Sequence, residues 1–83
     1  MYDTIMKHLE KDPQVLFGES KTNAKPIDFD EKDLKRIFNN EKEYLTYSLS
    51  FKYSLDGELK EIVITSGHKH LHGTSYRYYY IIF

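Results

Sequence analysis

From Glu43 the chain changes to a period of two, and from Leu45 to Tyr53 it alternates without a break. Leu45, Tyr47, Leu49, Phe51 and Tyr53 fall on one side, and Thr46, Ser48, Ser50 and Lys52 on the other. A period of two belongs to a strand with one buried face and one open face. Asp56-Gly57 follows, the pair best suited to the centre of a type I′ hairpin turn. Placing the turn there predicts a register. Leu55 faces Glu58, Tyr53 faces Lys60, Phe51 faces Ile62 and Leu49 faces Ile64, while Lys52 faces Glu61, Ser50 faces Val63 and Ser48 faces Thr65. Apolar meets apolar on one side, and the one charged pair has opposite signs. A slip of one residue would turn the whole apolar row into water, so the register is strongly specified until the hairpin opens near Ser66.

A sheet with one apolar face needs a cover, and the preceding chain reads as helical. From Tyr2 to Lys11, the residues Tyr2, Ile5, Met6 and Leu9 form one stripe at helical spacing, stopped by Asp12-Pro13. The stretch "QVLFGE" predicts a short edge strand, and "SKTNAKP" a loop. A second helix is predicted from Asp30 as N-cap, with Phe29 and Leu34 placed for a hydrophobic staple. Its apolar stripe is Leu34, Ile37 and Phe38, and Asn39-Asn40 ends it. A third long strand runs from Thr74 to Phe83, setting Tyr76, Tyr78, Tyr80 and Ile82 against Arg77, Tyr79, Ile81 and Phe83. Tyr2 and Tyr44 are assigned to structure.

The expected fold is therefore a small α+β single domain spanning residues 1–83. Two helices pack on one face of a three- to four-stranded antiparallel sheet, in the order α-(β)-α-β-β-β. With 83 residues there is no room for a second core. The chain has no cysteine, which removes disulfides and thiolate chemistry. It has no apolar run long enough for a membrane span and no signal-peptide-like start, so the expected setting is soluble and cytoplasmic.

The net charge of −1 weighs against a dedicated nucleic-acid binder, whose affinity rests largely on phosphate neutralisation. Charge is nevertheless uneven. Beyond Gly67 there are Lys69, Arg77 and three histidines with no acidic residue, whereas Asp28 to Glu43 is rich in acids.

Three features carry possible chemistry. His68, His70 and His72 alternate and could show their imidazoles to one metal ion if extended. A closed zinc site wants four ligands, the fourth here having to be a carboxylate or His8, and the expectation is a solvated connection with no metal and no cofactor. Lys69, Leu71, Gly73 and Arg77 resemble the K-x-L-x-G … R segment of toxins of the RelE ribonuclease superfamily. That resemblance implies a histidine-dependent ribonuclease as an alternative. This chain departs from the family by placing a long hairpin where those toxins have helices, and by not being basic. "HLHGT" is similar to one half of a histidine-x-threonine phosphodiesterase motif, whose other half is missing from the sequence.

The third feature is the tyrosine row. Such a row serves as core, as protein-contact anchors, or as a stacking platform for single-stranded nucleic acid. The two helical stripes can cover one face of the sheet but not both, so one face of the last strand should stay in contact with water. The expectation is a small non-enzymatic protein that binds a protein partner, or a second copy of itself. Tyr76, Tyr78 and Tyr80 are the expected anchors, with Arg77 and Tyr79 next. Size and composition are those of phage or mobile-element inhibitors of host enzymes and defence systems. A single-stranded nucleic-acid module using the same strand is the alternative binding class.

Overall fold

The computed structural model describes residues 2–39 and 45–83, and every structural statement below concerns these residues. The expected strand start at Glu43, the structural role of Tyr44 and the Asn40 half of the helix stop lie outside them. The elements are α1 (Tyr2–Leu9), β1 (Gln14–Gly18), β2 (Lys25–Pro26), α2 (Glu31–Phe38), β3 (Leu45–Tyr53), β4 (Leu59–His70) and β5 (Gly73–Ile82). The strands form one antiparallel sheet in the order β2-β1-β5-β4-β3. The α+β class and the one-sided helical cover agree with the sequence. The strand count is five rather than three or four, because Lys25–Pro26 pairs with Leu16 and Phe17 inside the stretch read as loop. β1 consequently lies inside the sheet rather than at its edge, and β5 occupies the centre between β1 and β4.

Both helices follow local chemistry. α1 ends before Asp12, whose φ of 52° turns the chain away ahead of Pro13. At α2, the Asp30 carboxylate accepts from the Asp33 amide at 3.1 Å while Asp33 accepts from the Asp30 amide at 3.1 Å, a reciprocal capping box. The two helices meet through an edge-to-face contact of Tyr2 with Phe38, centroids 5.6 Å apart. Beneath them Ile5, Val15, Leu34, Ile37, Ile62, Ile64 and Ile81 form a continuous core. Each fully buried isoleucine or leucine is worth on the order of 1.5–3 kcal/mol.

The β3–β4 hairpin keeps the expected register from Ser48 opposite Thr65 to Lys52 opposite Glu61. The turn itself differs. The Ser54 carbonyl accepts from the Gly57 amide at 3.0 Å and the Glu58 carbonyl from the Ser54 amide at 2.8 Å, so the loop is Leu55-Asp56-Gly57. A type I′ turn needs positive φ at both central residues; only Gly57 has it, at 86°. The three-residue loop shifts the pairing by one, placing Tyr53 opposite Leu59 rather than Lys60, and an irregularity between Lys52 and Tyr53 restores the register beyond it.

Candidate interaction surface

β4 and β5 are longer than their neighbours, and that sets the shape of the molecule. Twelve residues of β4 at roughly 3.3 Å each span about 40 Å, close to the longest dimension of 43 Å. β3 pairs with β4 only as far as His68, and β1 pairs with β5 only as far as Tyr78. Among the described residues the β4–β5 hairpin is therefore two-stranded only at its last rungs, Lys69–Thr74 and His70–Gly73, whereas β3 still lies beside β4 at Ser66–Arg77, Gly67–Tyr76 and His68–Ser75. The segment expected to be a solvated connection is thus mostly strand, and only Leu71-His72 turns.

The face opposite the helices collects Tyr76, Tyr78, Tyr80 and Ile82 beside Gly67, Thr65, Val63 and Glu61. This confines the tyrosine row to the side where β3 presents Thr46, Ser48 and Ser50. Exposure grades along it. Tyr80 is 8% exposed, Tyr78 is half-buried and Tyr76 is 51% exposed. The cause is the 19–24 segment. Its Lys21 ammonium lies 5.9 Å from the centroid of the Tyr80 ring and reaches Glu61 at 2.5 Å. Burial pushes the Tyr80 phenol up, helped by neighbouring Tyr78 and Glu61. Tyr78 and Tyr80 stack with centroids 6.0 Å apart. Tyr76 leans over Gly67, where a side chain would meet the ring at 3.3 Å.

Tyr79 and Arg77 point to the helix side. Tyr79 packs between Phe17 and Phe29, with centroids at 4.5 and 5.4 Å, and burial raises its phenol pKa. Arg77 is exposed, pairs with Glu19 at 3.1 Å and donates to the Tyr76 carbonyl at 3.2 Å. Of the expected anchors, Tyr76 and Tyr78 remain available as a contact area, Arg77 rims the opposite face, and Tyr79 and Tyr80 support the strand from within.

The ribbon end adds a residue that sequence reasoning passed over. Leu71 sits in the turn and is 93% exposed. Its signal was an isolated leucine between histidines, hidden by the reading of that segment as a loop. His68 and His70 share the helix-side face with ring centroids 4.3 Å apart, and the His70 Nε2 lies 2.9 Å from the Ser75 hydroxyl. Among the described residues, no three histidine or carboxylate side chains gather as metal ligands. His8 is far from this end, bonded to the Thr4 carbonyl at 2.7 Å and set against Phe83. Lys69 and Arg77, the two cations of the RelE-like segment, fall on opposite faces of the ribbon by strand alternation.

At the other end of the tyrosine face, Glu61 is the buried charged residue, 5% exposed. Burial by itself would raise its pKa, but hydrogen bonds and charge from Lys21 at 2.5 Å and Lys52 at 3.3 Å outweigh burial and hold the carboxyl below its usual range. Described helices include none long and apolar enough to cross a membrane. No protein-family model, curated protein or solved structure matches the chain.

Proposed function

We propose that the protein works by binding another protein, with the outer end of the β4–β5 ribbon and the adjoining Tyr76–Tyr78 strip as the contact surface. The observation that supports this is the exposure of Leu71 at 93%, past the described pairing of both β1 and β3, and of Tyr76 at 51%, past the pairing of β1. A large apolar group at the tip of a projecting ordered hairpin gains little from folding and has a ready use in a partner's pocket. Lys69 and Arg77 put two formal cations at this end, Arg77 already paired with Glu19 at 3.1 Å. The complementary partner surface is an acidic cleft with an apolar floor. A ribbon that fills a cleft acts by occlusion, so inhibition is the activity this shape serves.

Parallel affinity capture from host lysate with wild type, Leu71→Asp and Tyr76→Ala tests the reading. The expected result is one protein enriched by wild type and lost with either variant, both variants remaining folded by circular dichroism. Equal capture by all three overturns it. Salt-dependent binding to single-stranded oligonucleotides, lost with Tyr76→Ala, would replace the protein partner by a nucleic acid.

A further inference from the structure

A long strand at the edge of a sheet offers unpaired backbone donors and acceptors, and natural sequences usually blunt it with charges, proline, glycine or bulges. β3 is such an edge, since the sheet ends on it and no described strand pairs with its outer side. From Thr46 to Lys52 it has no proline and no glycine, and Lys52 is its one charged residue. The irregularity in its pairing comes only at Lys52/Tyr53, at the end of the strand. The opposite edge is treated differently: β2 has two residues, one of them Pro26. One edge is blunted and the other is left open.

We propose that β3 pairs with β3 of a second copy of this chain, joining two sheets into one. An antiparallel pair related by a two-fold axis through Leu49 keeps the helices of both copies on the same side. In that register Leu49 faces Leu49, Tyr47 faces Phe51 and Phe51 faces Tyr47. On the open face Ser48 faces Ser50, and Thr46 faces Lys52. The strand is self-complementary: apolar meets apolar, hydroxyl meets hydroxyl, and the two lysines lie at opposite ends rather than against each other. The side-chain evidence points the same way. Tyr47, Leu49 and Phe51 are only half-buried within one copy. With Ile37 and Phe38 of α2, Tyr47 and Leu49 line an open apolar cavity of about 260 Å³ beside this edge. Phe38 is 36% exposed there. Pairing brings the two cavities together across the shared strands and removes this apolar surface from water. The surface is separate from the Tyr76–Leu71 ribbon, so dimerisation leaves the proposed partner site open on both copies.

Sedimentation equilibrium of wild type and two double variants decides the matter. Ser48 and Ser50 are exposed on the open face, so charged replacements there leave the core alone. Wild type is expected as a dimer at micromolar concentrations. Ser48→Glu with Ser50→Glu sets carboxylates opposite each other twice and should weaken association at least tenfold. Ser48→Lys with Ser50→Glu sets lysine opposite glutamate twice and should associate as well as wild type. A monomeric wild type at 100-fold higher concentration refutes the proposal, and so does a dimer that ignores the double glutamate. Tyr76→Ala should leave the association unchanged; its loss there would assign self-association to the tyrosine strip instead.

Discussion

Glu61 gives the sharpest test of how the open face is held. Its side chain is 7% exposed, whereas those of Lys21 and Lys52 are 56% and 58% exposed. Removing different members of this triad should therefore cost different amounts. Glu61→Gln deletes the buried charge; both lysines then turn to water, and the loss is that of ordinary hydrogen bonds, about 1 kcal/mol. Lys21→Met with Lys52→Met keeps the aliphatic stems but strands a buried carboxylate, which costs about 3–5 kcal/mol. For a domain of this size each kcal/mol moves the thermal midpoint by about 4–8 °C, so the double variant should melt lower by roughly 12 °C or more. The pH dependence carries the sign. The wild-type carboxyl has a lowered folded pKa. Its stabilisation is fully present above the unfolded value of about 4.3 and is lost as pH falls through the folded value. In the double variant the stranded carboxylate destabilises above the unfolded value, so the gap to wild type should close as the pH falls below about 4. Thermal melts of the three proteins at pH 7 and pH 3.5 read both effects. If Glu61→Gln costs as much as the double lysine variant at pH 7, the carboxylate is not buried as described.

Gly57 holds a φ of 86° in open space, so strain alone opposes a side chain there. Gly57→Ala should cost about 1–2 kcal/mol and Gly57→Val more, read from the denaturant midpoint; an unchanged midpoint would exclude the three-residue turn. Asp30→Ala removes half of the capping box and should cost about 1 kcal/mol, with helical circular dichroism lost first on heating. Treatment with a chelator should leave the thermal midpoint in place, because no three histidine or carboxylate side chains gather as metal ligands among the described residues. A drop restored by zinc would put the histidines at the centre of the account.

The parts legible in the sequence were those specified by neighbours in the chain. Alternation fixes the β3–β4 register because one wrong step exposes Leu49 and Phe51 together. The Asp30 cap is legible because its partner is three residues away. The parts that escaped depend on distant segments. Nothing near Val15 says that β5 will lie beside it, and nothing near Tyr80 says that Lys21 will fold across it. His68 to His72 read as a loop because histidine, lysine and glycine are weak strand formers. Long-range pairing with Thr74, Ser75 and Tyr76 overrode that preference. Alternation places Tyr76, Tyr78 and Tyr80 on one face of the last strand, but the burial of Tyr80 and the exposure of Leu71 depend on contacts visible only in three dimensions.

The central claim is that a partner meets the outer ribbon, and site-specific photocrosslinking tests it most directly. A photoreactive residue is placed in turn at positions 71, 76, 7 and 32; Lys7 and Lys32 are exposed on α1 and α2. In a lysate of the source cells, positions 71 and 76 should form a crosslink to the same protein, and positions 7 and 32 should form none to it. Crosslinks from positions 7 and 32 with none from 71 and 76 would place the contact on the helices and contradict the account.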